Sequence, residues 1–267
     1  MLVIHARNTS AQFGGHPWKE KKLSEFAVAV LALLSMMGAA LLGLFSKTRL
    51  PSEHLQDDTS NVVRLVASLF VLMTSLVLTF MINSAKDTYG ANNRNIRTLA
   101  TDIILLDRTI RGLGPEAEDV RRYLVEYLQT SLKYTNIVED PQAEALLNAA
   151  GTNLKEIRVS DGQKVTLWND ALILYRQVVQ ERWVLVDAAG GTIPTPMIIT
   201  LILWLTIIFA SFGYRAPRNT IVAASFVLAA LLLSAALYLI LDMDNPSSGI
   251  FPVSKAPYQR ALAQLQG

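Results

Sequence analysis

Four stretches of the chain are apolar for about twenty residues each, the length a helix needs to cross about 30 Å of hydrocarbon at 1.5 Å per residue. They run over Phe26–Ser46, Val62–Ile82, Met197–Gly213 and Ile221–Leu241. No other feature of the 267 residues constrains the fold as much, because backbone polar groups in lipid must be satisfied internally and a helix does so. The composition agrees: 51% of residues are hydrophobic and 17% charged, where a soluble globule carries about a quarter charged. Lys19, Lys21 and Lys22 precede the first stretch as in a signal peptide. That stretch is too long for a signal h-region and lacks a small-residue cleavage site, so it reads as a span that is retained.

The spans pair by their connections. Gly190, Gly191, Pro194 and Pro196 break the preceding helix and restart it at the membrane surface as the third span. Tyr214 to Asn219 joins spans three and four, with Asn219 placed to cap the fourth helix. Spans one and two are joined by a polar loop containing Pro51, Glu53, Asp57 and Asp58. The expectation is two antiparallel hairpins. Arg7, Lys19, Lys21, Lys22, Lys86, Arg94, Arg97, Arg176, Arg182, Lys255 and Arg260 fall on one side, against Lys47, Arg49, Arg215 and Arg218 on the other. The positive-inside rule therefore predicts cytoplasmic termini and a cytoplasmic middle region. The predicted layout is an all-α integral membrane protein: an N-terminal tail over 1–25, hairpin one over 26–82, a helical region over 83–193, hairpin two over 194–241 and a C-terminal tail over 242–267.

In the middle region Ile96, Leu99, Ile103, Leu106 and Ile110 recur at spacings of three and four, one stripe of a helix. Gly112 and Gly114 end that helix, and Pro115 with Glu116 and Glu118 begins the next. Leu172, Tyr175, Val179, Trp183 and Val186 form a second stripe, read as a packing face. Only Glu156 to Ser160 alternates like a strand, and a short strand or loop is expected there.

Enzymatic constellations are nearly absent. The chain has no Cys, and His5, His16 and His54 have no spacing for metal ligation or a triad. No phosphate loop or nucleotide fingerprint appears, so neither an enzyme nor a cofactor is expected. The net charge of +2, without a basic stripe interleaved with aromatics, argues against nucleic acid as a partner. Asp242, Asp244 and Asn245 offer oxygens of the kind that bind a hard cation, though too few for a calcium loop; they would equally end a helix before Pro246. Trp18, Trp183 and Trp204 read as interface anchors or core.

The second span carries the most information. At 100° per residue, Arg64, Ser68, Ser75, Thr79, Asn83 and Lys86 fall in a sector about 100° wide, while the other faces are Leu, Val, Met, Phe and Ala. Such a stripe is either a pore or binding face, or hydroxyl glue between helices with Arg64 and Lys86 snorkelling to the interfaces.

From this span onward the sequence resembles the bestrophin-like domain family of bacterial membrane proteins. The resemblance rests on Leu78-Thr79-Phe80-Met81-Ile82-Asn83-Ser84-Ala85-Lys86 with Tyr89, Leu106-Asp107-Arg108, Gly114-Pro115-Glu116, Arg182-Trp183, Ile193-Pro194-Thr195-Pro196, Phe212-Gly213-Tyr214-Arg215-Ala216-Pro217-Arg218-Asn219, and Leu241-Asp242-Met243-Asp244-Asn245-Pro246. More distantly it is similar to bestrophins, pentameric anion channels with four spans per subunit. That similarity implies a homo-oligomer in the bacterial inner membrane, small anions as permeant partners, and Leu72, Leu76 and Phe80 as a hydrophobic pore neck. The sequence departs from bestrophins at Ser247, where Phe is usual, and lacks the Trp-rich string after the neck. The expected function is an anion channel; the alternative is a non-conducting scaffold or sensor whose cytoplasmic helices bind a protein.

Overall fold

In a computed structural model, residues 24–46, 57–133, 140–188, 191–217, 219–245 and 253–267 are described, and at 46 and 57–64 the backbone alone. They form α1 (Glu25–Ser46), α2 (Asp57–Arg111), α3 (Glu118–Lys133), α4 (Pro141–Glu156), α5 (Gly162–Ala188), α6 (Thr195–Arg215), α7 (Thr220–Asp244) and α8 (Ala256–Gln266). A short 3-10 turn at Pro115–Ala117 precedes α3. Four of these helices, α1, α2, α6 and α7, are long and apolar enough to cross a membrane. The histidines, Trp18, the loop prolines and acids before Asp57, Gly190, Arg218 and Pro246 lie outside the described residues, as does the Arg64 side chain.

The local signals act as expected. Gly114 takes φ 89°, the left-handed conformation that stops α2, and Pro115 starts the next turn. Asn219 caps α7 by accepting from Ile221 N at 3.2 Å. Asp140 does the same for α4, accepting from Gln142 N at 2.9 Å. Residues 157–160 are irregular, the loop option of the two.

The helix that carries the second span does not end near Ile82. With no proline between Pro51 and Pro115, α2 runs unbroken for 55 residues, about 80 Å at 1.5 Å per residue, from the membrane into the extramembranous bundle. One rod therefore belongs to both halves of the protein.

Helix directions are those of two hairpins, but the partners differ. Ser35 meets Thr206 and Gly43 meets Tyr214, so α1 and α6 are parallel. Ala29 meets Ser234 and Glu25 meets Asn245, so α7 runs antiparallel to α1. Phe70 meets Trp204 and Thr88 meets Thr192, so α2 runs antiparallel to α6. The main membrane seams join α1 to α6, α1 to α7, and α2 to α7 and α6; α1 and α2, like α6 and α7, share no comparable seam. Helices adjacent in sequence thus lie diagonally. The cause is the small-residue seam between α1 and α6, where Ala40 and Gly43 meet Ala210 and Gly213 backbone to backbone, closer than bulky neighbours could come.

Outside the membrane, α2, α3, α4, α5 and α8 bury Ile96, Leu99, Ile103, Leu106 and Ile110, the stripe read from sequence. The α5 stripe holds in part: Leu172, Tyr175 and Val179 pack half-buried against this core, while Trp183 is exposed. The most buried residues, Ala171, Val178, Arg182 and Leu185, lie about one residue out of register with it. Arg182 is the reason: its guanidinium turns inward, donating to Asp140 O at 3.4 Å and facing Glu144 at 3.7 Å, which ties α5 to the start of α4. Tyr127 and Tyr258 are buried beside it, and burial pushes both phenols up, so they stay neutral across the physiological range. Asp107, also buried, accepts from Arg111 Nε and Arg121 Nε at 2.8 Å each. Both guanidinium groups then donate to Leu265 O, fixing α8 by the carbonyls at its C-terminal end.

Candidate functional site

The membrane half of α2 has two unlike sides. Ala67, Thr74, Met81 and Ala85 are buried, a seam that repeats every seven residues from 67 to 81 and faces the other spans. Thr74 satisfies its hydroxyl within the helix, donating to Phe70 O at 2.8 Å. On the opposite side Leu72 is 68%, Leu76 54% and Phe80 61% exposed. Ser68, Ser75, Thr79, Asn83 and Lys86 are exposed as well. At 100° per residue Leu72 lies about 180° from Met81, and Thr79 and Asn83 about 160°. The neck residues and the polar stripe are therefore neighbouring sectors of one face, which no helix among the described residues covers. α2 is also the least covered span: 17% of its most apolar window is buried, against 28% to 33% for the others.

Thr79 donates to Ser75 O at 2.8 Å, as threonine can in a membrane helix. Beside this face an apolar cleft of about 320 Å³ opens between α2 and α6, lined by Val77, Pro196, Met197, Thr200, Leu201 and Trp204. Trp204 closes it by an edge-on contact with the Phe70 ring, centroids 5.5 Å apart, so this tryptophan is a packing residue between spans.

Asp242, Asp244 and Asn245 lie at the C-terminal end of α7, close to Thr88 of α2 through Thr192. Asp244 is 5% exposed and its carboxylate is filled by donors. Thr192 N lies 3.0 Å from each oxygen, Ile193 N donates at 3.0 Å and Thr192 Oγ1 at 2.6 Å. Gly191 takes φ 73° here, and a Cβ on it would stand 2.8 Å from Asp244 Oδ2. Asn245 donates its amide to Glu25 at 2.6 Å, and Tyr238 donates to Asp242 at 3.4 Å. Among the described residues no three His, Cys, Asp or Glu side chains gather. The arrangement does structural work: it clamps the loop entering α6 to the end of α7, and Thr192 Oγ1 lies 2.9 Å from Thr88 Oγ1 on α2. Sequence reasoning missed this clamp because its halves are 52 residues apart; the only local sign is a glycine followed by Thr192 before the prolines.

Replacing Asp244 by Ala leaves those N–H and O–H groups without their acceptor in a buried loop. The expected loss is about 2 to 4 kcal/mol, since hydrogen bonds to a charged acceptor are each worth about 1.5 to 3 and the loop can partly relax. Thermal unfolding of the detergent-extracted variant reads it; an unchanged melting profile would remove Asp244 from this role.

These features define a class: an all-α membrane protein with four spans, a long helix shared with a second bundle, and an uncovered face on that helix. Residues 34–258 match the model of the bestrophin-like domain. The chain belongs to the bestrophin-like domain family. The fold is similar to a crystal structure of a bacterial bestrophin homologue from Klebsiella pneumoniae, at 16% identity and a TM-score of 0.60, covering 88% of this chain and 96% of that one. A variant of that homologue gives 14% identity and a TM-score of 0.59 over 89% of this chain and 97% of that one. A variant of a structure described only as a membrane protein gives 15% and 0.61, over 88% and 96%. No curated protein matches the sequence.

Proposed function

We propose that the chain is one subunit of a homo-oligomeric, anion-permeable channel of the bacterial inner membrane, with five copies as in bestrophins and α2 of each copy facing a shared axis. The observation that carries this reading is the uncovered α2 face, which holds Ser75, Thr79, Asn83 and Lys86 in succession beside Leu72, Leu76 and Phe80. Polar groups in a span are costly against lipid and belong on a bundle interior or a water-filled path. Around an axis the Lys86 cations would attract anions, hydroxyl and amide donors would replace part of the hydration shell, and the apolar rings would gate by dewetting. The Lys/Arg distribution supports cytoplasmic termini and a cytoplasmic helical bundle. Family membership supports the channel class, and the fold likeness supports its architecture.

The test is chloride flux from liposomes containing the purified chain, with chemical cross-linking of the same sample. A cross-linked ladder above the dimer together with chloride efflux is the expected result. A monomer without efflux overturns the reading and leaves the scaffold or sensor alternative.

A further inference from the structure

The cleft between α2 and α6 holds a group that the fold leaves without a partner. Val77 of α2 and Pro196, Met197, Thr200, Leu201 and Trp204 of α6 line it, all on helices long and apolar enough to cross a membrane. Its wall is almost wholly apolar. Thr200 spends its hydroxyl proton within α6, donating to Pro196 O at 2.8 Å. Trp204 differs: its Nε1 is buried, and no acceptor among the described residues lies within hydrogen-bond distance. A donor removed from water and given nothing in exchange is costly, and a buried indole N–H ordinarily finds a partner. The edge-on contact with Phe70 holds the ring, and the N–H with it.

Volume, wall and depth narrow what can fill the cleft. About 320 Å³ is at the small end of ligand sites, room for roughly a dozen non-hydrogen atoms. The apolar wall calls for an apolar body, and the indole N–H for one oxygen. Depth excludes the ester oxygens of a bilayer lipid. Trp204 is nine residues into α6 from Thr195, about 13 Å at 1.5 Å per residue, whereas those oxygens stay outside the hydrocarbon. An acyl chain alone would fill the space and leave Nε1 unpaired. Beyond the channel reading and independently of it, we infer that this cleft binds a small amphiphile whose oxygen accepts from Trp204 Nε1. Its chemistry is an aliphatic chain of about ten carbons with one hydroxyl or carbonyl group. The occupant touches α2 at Val77, next to Leu76, and so bears on the helix that carries the bare face.

The test is tryptophan fluorescence of the full chain in phosphatidylcholine liposomes, titrated with decanol brominated at the carbon beside its hydroxyl, because bromine quenches an indole at contact. Quenching should saturate, at a concentration about fivefold or more below that needed with the bromoalkane of equal length, which is one hydrogen bond written as an equilibrium ratio. Trp204→Phe keeps an aromatic ring and removes both donor and reporter, so the saturable part should vanish. If it survives, it belongs to Trp18, Trp168 or Trp183 and the inference falls. Thr200→Phe, at an exposed position on the wall, narrows the cleft without loading the core and should raise the half-saturating concentration severalfold; an unchanged curve overturns the inference. Equal, unsaturable quenching by alcohol and alkane shows a groove filled by lipid chains and overturns it too. Saturable quenching that appears only after an oligomer dissociates puts a second copy in the cleft, with the same result. No current is read, so the channel reading stands or falls separately.

Discussion

Replacing Leu72, Leu76 and Phe80 together by Ala is expected to raise chloride flux in liposomes at least severalfold while shifting thermal unfolding by only a few degrees. The three side chains lie on successive turns of α2, so in a symmetric oligomer each repeats as an apolar ring, and narrow apolar rings resist wetting. Truncation widens the rings and weakens the barrier. The stability side of the expectation follows from exposure. A large-to-small change in a packed core costs about 2 to 5 kcal/mol, because partner atoms are left facing a void. Leu72, Leu76 and Phe80 are more than half exposed within the chain, so few neighbours lose contact. Unfolding or dissociation of the triple variant, with no single variant conducting better, would place these residues in a packed interface and withdraw the main support for a pore along this face.

The second large effect is on folding. Gly213→Leu should abolish the folded state under conditions where the wild type is stable, at a cost of about 3 kcal/mol or more, the upper range for overpacking. A Cβ at Gly213 falls on the carbonyl oxygen of Ala40 in α1. From the other side, one at Gly43 would stand 2.5 Å from Ala210 O and 2.6 Å from Tyr214 N. Both obstacles are backbone, which cannot rotate away as a side chain does, so α1 and α6 must separate along the whole seam. Separation also stretches the Ser35 to Thr206 hydrogen bond, 3.1 Å in the folded chain. In lipid there is little hydrophobic force to compensate, since helix association there rests on close packing and interhelical hydrogen bonds. Gly38, on α1 with Gly43, has open space around it, so Gly38→Leu should be tolerated and serves as the control. Equal expression and melting of the Gly213 and Gly38 variants would show that the close approach is not needed.

The positions of the four spans are legible in the amino-acid sequence alone, whereas α4 and the helix α8 inside the expected C-terminal tail are not, because their short apolar faces are completed only by packing on α2 and α3. Each span must satisfy its backbone alone in lipid, so length and hydropathy suffice, and Pro194, Pro196, Gly114 and Asn219 mark helix ends by local sterics and capping that need no distant partner. The α2 polar stripe and the Ile96 to Ile110 core stripe are legible for the same reason, since periodicity is a local property. The α5 face is legible only in part. Leu172, Val179 and Trp183 make a regular apolar pattern, yet the helix turns Arg182 inward because Asp140 and Glu144 of α4 receive it, and that pairing joins residues about forty positions apart. The same holds for the diagonal placement of α1 and α2, decided by the glycine seam with α6, and for Asp244, whose hydrogen-bond donors come from a loop 52 residues earlier. It holds above all for the α2 face. Sequence places Ser75, Thr79, Asn83 and the neck residues on one side of a helix, but a polar stripe reads alike whether another helix covers it or not. Only the packing of the whole chain decides that α1, α6 and α7 leave this side bare, because coverage depends on where every other helix goes.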